Sequence, residues 1–214
     1  MTTGNPPAGS ARHEVVRAGD ADTCVLAGVI AEAFFPLAVC QWLIPDEAAR
    51  RAAFPGYFQL YAEHALQDGL VETTPDRAAA ALWLPGIGPS EPPEDYTQRL
   101  AALTGPHLPN FLAFDQALDA HHPGGTFHHH LAVLAVHPDR QGQGTGTALL
   151  HAHHAALDDQ RIPAYLEASD ERTRRLYLNH GYVLRPNAPI RLPGGPEMWP
   201  MWREPHTCKR AASG

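Results

Sequence analysis

Charge is scarce in this 214-residue sequence: Asp, Glu, Lys and Arg together make up 18% of it. No run of Lys or Arg gathers the positive field that phosphate-backbone binding needs, so nucleic acid is not an expected partner. The 16 Lys and Arg residues against 23 Asp and Glu leave a formal charge of −7, which suits a small cationic amine as well as it suits ordinary solubility. Cysteine is rarer still. Cys24, Cys40 and Cys208 are widely spaced and form no Cys-x-x-Cys pair, which argues against a disulfide framework or thiolate zinc site and fits a reduced, cytoplasmic setting. No apolar run approaches the roughly 20 residues of a spanning helix, and residues 1–10 lack a charged segment followed by an apolar block. A soluble chain without a membrane partner is expected.

Apolar residues, by contrast, make up 44% of the chain, enough to bury a core, and the length fits one domain better than two. Residues 1–12 and 205–214 lack periodic apolar positions and are expected to be flexible tails around a single domain at 13–204. Within it, a short strand at 13–17 precedes a helix capped by Asp20, with Val25, Leu26, Val29, Ile30 and Phe34 as its apolar positions and Pro36 as its end. A second helix begins at Asp46 and must break or kink at Pro55-Gly56 before Gly69 closes it. Segments 70–74 and 78–84 read as a hairpin around Pro75-Asp76. Segments 96–103 and 111–118 read as a helical insertion, and 127–136 as a long apolar strand. Helices at 148–157 and 173–180, the latter ended by Gly181, alternate with strands at 164–167, 182–184 and 197–202.

The most informative stretch runs Leu134-Ala-Val136-His-Pro138-Asp-Arg-Gln141-Gly142-Gln-Gly144-Thr145-Gly146-Thr147, a strand leading through a glycine-rich turn straight into a helix. Glycines let backbone N–H groups converge without Cβ interference, and the helix start adds unpaired donors and the positive end of its dipole, a combination suited to a pyrophosphate. A Walker A loop would need Gly-Lys-Ser/Thr, and the dinucleotide fingerprint fails because Thr147 stands at its third glycine. Three alternating glycines alone are equally compatible with a plain connecting turn.

Gln141-x-x-Gly144-x-Gly146, after the strand ending Leu134-x-Val136-x-Pro138, resembles the Gln/Arg-x-x-Gly-x-Gly/Ala motif of the GNAT superfamily of N-acetyltransferases. Tyr165-Leu166-Glu167-Ala168-Ser169 resembles the family's following strand, and Leu176-Tyr177-x-x-x-Gly181-Tyr182 its Tyr-x-x-x-Gly-Phe/Tyr helix end. The pieces Ala33-Phe34-Phe35, Trp42-Leu43-Ile44-Pro45-Asp46 and 80–85 resemble the puromycin-N-acetyltransferase-like subgroup more weakly. The resemblance implies an α/β fold with a mixed, mostly antiparallel central sheet flanked by helices, and acetyl-CoA as cosubstrate. It implies that main-chain amides of Gln141, Gly142, Gly144, Thr145 and Gly146 bind the pyrophosphate while Leu134 and Val136 pair with the pantetheine arm, as in strand addition. Thr173 stands where many relatives carry Asn, which weakens or rearranges one cofactor-side hydrogen bond.

The same resemblance assigns Tyr177 to the departing sulfur and the Val136 N–H to the oxyanion; a purely core aromatic is the other reading of Tyr177. An alkylamine of pKa about 10.4 is almost wholly protonated at neutral pH, so a base or relay is useful. Glu167, acting through water, is the first candidate, with Glu32 as a weaker one; a structural carboxylate is the alternative. Trp42, Tyr57, Tyr61 and Phe111 are candidates for an aromatic substrate wall, and His130 for a pocket residue, each also explicable by packing. The remaining clustered histidines, among them His121, His122, His128, His129, His151, His153 and His154, read as solvent-exposed, and no metal site is expected because His153 and His154 cannot share one helix face. The leading activity is acetyl transfer to a primary amine on a small molecule. Protein N-acetylation and a catalytically silent CoA-binding sensor are the competitors.

Overall fold

The computed structural model describes residues 14–206. The tail expected at 1–12, and that at 205–214 beyond His206, lie outside the described residues. His206 itself is tied down, its main-chain N–H donating to Asp158 Oδ1 at 2.8 Å.

A short turn at Asp20–Asp22 opens the first helix, α1 (Thr23–Phe34). Asp20 does not cap it through its side chain; its carbonyl takes the Thr23 hydroxyl at 2.7 Å, and Asp22 accepts the Gly19 N–H. Leu26, Ala27, Ile30 and Ala31 form the buried stripe, whereas Val25 is 54% exposed. It lies one position off the i, i+4 row that faces the sheet. A second helix that sequence reading missed, α2 (Ala38–Leu43), is only 6 residues long, too short for a helical period to declare itself. Asp46 then caps α3 (Glu47–Asp68), accepting the Ala49 N–H at 2.7 Å.

The expected break at Pro55-Gly56 does not occur, and α3 runs 22 residues through Pro55. Proline removes one intrahelical bond and crowds one carbonyl, a local cost of about 3 kcal/mol. Phe54, Tyr57, Phe58 and Leu60, all buried around it, offset that cost at roughly 1.5–3 kcal/mol each. Gly69 ends the helix where a Cβ would collide with the Trp83 carbonyl oxygen, so the chain can turn into the sheet only through glycine.

Strands β1 (Val16–Arg17), β2 (Leu70–Thr73), β3 (Ala79–Gly86), β4 (His128–Val136), β5 (Ala164–Ala168), β6 (Val183–Leu184), β7 (Ile190–Arg191) and β8 (Glu197–Arg203) form one sheet. Its order is β1-β2-β3-β4-β5-β8-β6, with β7 paired to β8. All pairings are antiparallel except β4 with β5. The hairpin expected around Pro75-Asp76 is β2–β3, and its turn uses Arg77 at φ 58°. The helical insertion is α4 (Tyr96–Thr104) and α5 (Leu108–His121), and α6 (Thr145–Gln160) and α7 (Glu171–Asn179) complete the fold.

The sheet separates two cores, and β3 shows how. Ala80 and Leu82 join α1, α3, Leu100, Phe111 and Phe114 on one face, while Ala79, Ala81 and Trp83 join α6, Tyr177 and Tyr182 on the other. This is the period of two that strand geometry imposes. In β4 that period is interrupted once: Leu82 faces Val133 but Trp83 faces Leu131, leaving Ala132 as an extra residue.

Candidate active site

That extra residue is taken up without disturbing where the rest of β4 points. Before it, the His129 N–H donates across to Pro163 on the β5 side, and β4 pairs with β5 only at His129 and His130. After it, the His137 N–H donates to the Ala78 carbonyl on the β3 side. By strand alternation Val133 and Ala135 direct their main-chain groups toward β3, and Leu134 and Val136 direct theirs away from it. The two strands have parted by then, so Leu134 and Val136 line an open edge, as the resemblance implied. The Val136 carbonyl takes the Gln141 side-chain amide at 3.1 Å, which holds the following turn against this edge.

The turn suits a diphosphate. Gly142 and Gly144 adopt φ 74° and 85°, and Gly144 is the N-cap of α6, where no side chain caps the helix. The first-turn N–H donors of Thr145 and Gly146 therefore stay available to an anion, at the positive end of the dipole. A side chain added at Gly142 would meet nothing within 4 Å, so the space over the turn is open. Thr173 also lines this end, but its hydroxyl donates to the Asp170 carbonyl at 3.0 Å and its N–H to Asp170 Oδ1 at 2.6 Å. It is the third residue of a capping box that starts α7, and that explains threonine here. Arg140 and Arg172, which sequence reading missed, stand beside the same groove and add positive charge.

One cavity of about 820 Å3 runs from this turn past Tyr177 to Glu167 and His130, and then to Tyr57 and Tyr61 of α3. Tyr177 is 6% exposed. Burial, then the charges of Asp170 and Glu167, push its hydroxyl well above the usual phenol range, so it is a proton donor at neutral pH. Glu167 Oε2 and His130 Nε2 are 2.8 Å apart, with side chains 5% and 15% exposed. Burial alone would raise the Glu167 carboxyl, but the His130 imidazole outweighs it and holds it below the ordinary carboxylate range. Glu167 Oε1 is buried without a hydrogen-bond partner, as is the neighbouring Tyr165 hydroxyl. His130 was expected as a pocket residue; its pairing with Glu167 was not.

The aromatic wall is half as expected. The Tyr57 hydroxyl donates to that of Tyr61 at 3.2 Å, and both rings line the cavity. Phe111 instead sits behind Tyr57, fully buried, with ring centroids 4.8 Å apart. Trp42 lies away from the cavity and donates its indole N–H to the Pro193 carbonyl. Glu32 is an exposed partner of Arg51 at 3.8 Å, pointing off the sheet-facing stripe of α1. The cavity also takes side chains that sequence reading did not single out: Tyr96, and Asp115, Asp119 and His122 from α5 or its end.

For three of the histidines the expected exposure is corrected. His128, His153 and His154 are buried rather than solvent-exposed. His153 stacks on Trp83 at 3.9 Å and contacts Glu72 and His129, while His154 Nε2 meets the Tyr182 hydroxyl at 3.0 Å. Adjacent helix positions can both be buried because α6 lies in the fold between β3 and Tyr182. Among the described residues, the groups placed to share a metal ion are His122, His130 and Glu167, with ligand atoms within 4.8 Å of one another. These are not the histidines that the helix-face argument considered.

Comparison with known proteins agrees with this geometry. The model of the acetyltransferase (GNAT) domain matches residues 111–184, which span the open strand, the turn and Tyr177. A Corynebacterium glutamicum structure described as histone acetyltransferase HPA2 and related acetyltransferase is similar over 91% of this chain and 97% of its own, at 24% identity and TM-score 0.69. The Drosophila melanogaster polyamine N-acetyltransferase is similar over 89% and 100%, at 16% identity and TM-score 0.55. Arylalkylamine N-acetyltransferase 2 from Aedes aegypti is similar over 90% and 99%, at 12% identity and TM-score 0.56. Residues 111–184 thus match the acetyltransferase (GNAT) domain, and the chain shares the fold of these acetyltransferase structures.

Proposed function

We propose that this chain moves the acetyl group of acetyl-CoA to the primary amine of a small molecule, by direct attack with both substrates bound. The observation that carries the reading is the single cavity joining the phosphate turn, Tyr177 and the His130–Glu167 pair. Similarity to enzymes described as acting on polyamines and arylalkylamines supports a small amine as acceptor.

In this reading the amides at Gln141–Gly146 and the open edge at Leu134 and Val136 hold the CoA moiety, and Arg140 and Arg172 neutralise its phosphates. The acceptor arrives as an ammonium and first loses one proton. Glu167 accepts the Nε2–H of His130, which leaves Nδ1 as the lone-pair atom of that ring, and the pair takes this proton directly or through water. The nitrogen then attacks the thioester carbon: an N–C bond forms, the C–S bond breaks, and the second amine proton ends on sulfur. The Val136 N–H, pointing away from β3, is available to the charge that develops on the carbonyl oxygen.

Tyr177 stands as donor to the departing sulfur. An unperturbed tyrosine is about 1.5 pK units less acidic than an unperturbed thiol, and burial weakens it further. Hydrogen bonding to sulfur is therefore its first service, ahead of complete transfer.

The test is thiol release from acetyl-CoA by the purified chain across amines, including aminonucleosides, polyamines and peptide amines. Turnover of a small amine supports the reading. Preference for peptide amines would favour protein acetylation, and CoA binding without turnover of any acceptor would favour a sensor.

A further inference from the structure

Asp115 and Asp119 lie one turn apart on α5 and both line the acceptor end of the cavity, on one helix face. Neither has an ion-pair partner among the described residues. The only hydrogen bond to the Asp115 carboxylate comes from the Tyr96 hydroxyl, at 3.0 Å. Around them stand the rings of Tyr57, Tyr61, Tyr96 and Phe114, whose faces attract a cation. Glu167 adds a third carboxylate in the same cavity, its side chain 5% exposed and its Oε1 unpartnered. Arg140 and Arg172 are at the opposite, phosphate end. The cavity is therefore polarised, basic toward the turn and acidic toward the acceptor.

A neutral or anionic acceptor would leave the half-buried Asp115 without a countercharge, with the exposed Asp119 one turn away, and a singly charged amine that deprotonates at the His130–Glu167 pair would do the same. We infer that the acceptor carries two cationic centres, one nitrogen presented to His130 and Glu167 and a second, non-reacting ammonium or guanidinium held between Asp115 and Asp119 against the tyrosine rings. This rests on the acetyl-transfer reading above and names the substrate class of that site. The second charge positions the first, so its binding energy appears in kcat/KM rather than in CoA affinity.

The experiment compares α,ω-diamines of graded length with amino alcohols of the same length, in which a hydroxyl replaces the second ammonium. It is run on the full chain and on Asp115→Asn and Asp119→Asn. A charge-assisted contact in a partly desolvated site predicts that the best diamine exceeds its amino alcohol in kcat/KM by at least ~10-fold, and that this ratio falls to within ~3-fold in Asp115→Asn. The ratio is taken within each variant, so loss of folded protein cannot produce the result. Equal use of diamine and amino alcohol by the natural chain would overturn the inference while leaving acetyl transfer to amines intact, as would a preference that survives both substitutions. If neither series is acetylated although CoA binds, the acetyl-transfer reading fails and takes this inference with it.

Discussion

The two ends of the cavity are built on opposite principles. At the end proposed for CoA the available groups are main-chain: the open edge of β4, two left-handed glycines and the uncapped start of α6. At the acceptor end they are side chains gathered from α3, α4, α5, β4 and β5. Backbone recognition needs only a conformation, which a short run of sequence can dictate. Side-chain recognition needs elements far apart in sequence to meet, and each partner changes with the ligand.

The sharpest way to break the comparison is to damage each end and read which property fails. Glu167→Gln keeps the shape but removes the charge that His130 pairs with, and kcat is expected to fall by about 1000-fold with CoA affinity retained, read by steady-state kinetics beside calorimetry. Gly144→Val forces a branched side chain into φ 85°, so CoA affinity should fall about 100-fold; unchanged affinity in folded protein would defeat the backbone account. Tyr177→Phe should lower kcat about 30-fold without altering CoA affinity, and full retention of kcat would return Tyr177 to a packing role.

Asp115 sharpens the contrast through stability. Burial raises its carboxyl from 3.8 to about 6, so folding favours the protonated form. Its stabilising effect is complete below pH 3.8 and is lost as pH rises through about 6. Asp115→Asn should therefore raise the stability of the ligand-free chain by about 1–2 kcal/mol at pH 7.5 and give no such gain at pH 4, measured by thermal unfolding at both values. A melting temperature equally affected at both would contradict a charge effect.

The same division explains what could be read beforehand. Leu134, Val136, Gln141, Gly142, Gly144, Thr145 and Gly146 were legible because motif, conformation and placement are local to one strand-turn-helix. Both hairpin strands around Pro75-Asp76 were read from apolar runs and turn residues, whereas the sheet order, which joins strands far apart in sequence, was not. Pro55 misled because its local penalty says nothing of the aromatic core that surrounds α3. The histidines misled because a polar residue type suggested water, whereas Trp83, Tyr182 and Glu72, distant in sequence, satisfy them in the interior. Glu32, Trp42 and Phe111 had suitable chemistry but wrong direction. Asp115 and Asp119 offered no motif at all; two acidic residues at helical spacing read as an ordinary solvated face until the fold sets the half-buried Asp115 and the exposed Asp119 along the cavity.

Ala132 is the surplus residue of β4. The bulge absorbs it, so that Leu131 opposite Trp83 and Val133 opposite Leu82 face as successive residues of a regular strand would, and Leu134 and Val136 keep their outward sense. Deleting Ala132 would flatten the bulge and leave the Leu134 and Val136 amides still pointing away from β3, so this one residue is dispensable to the facing of the edge.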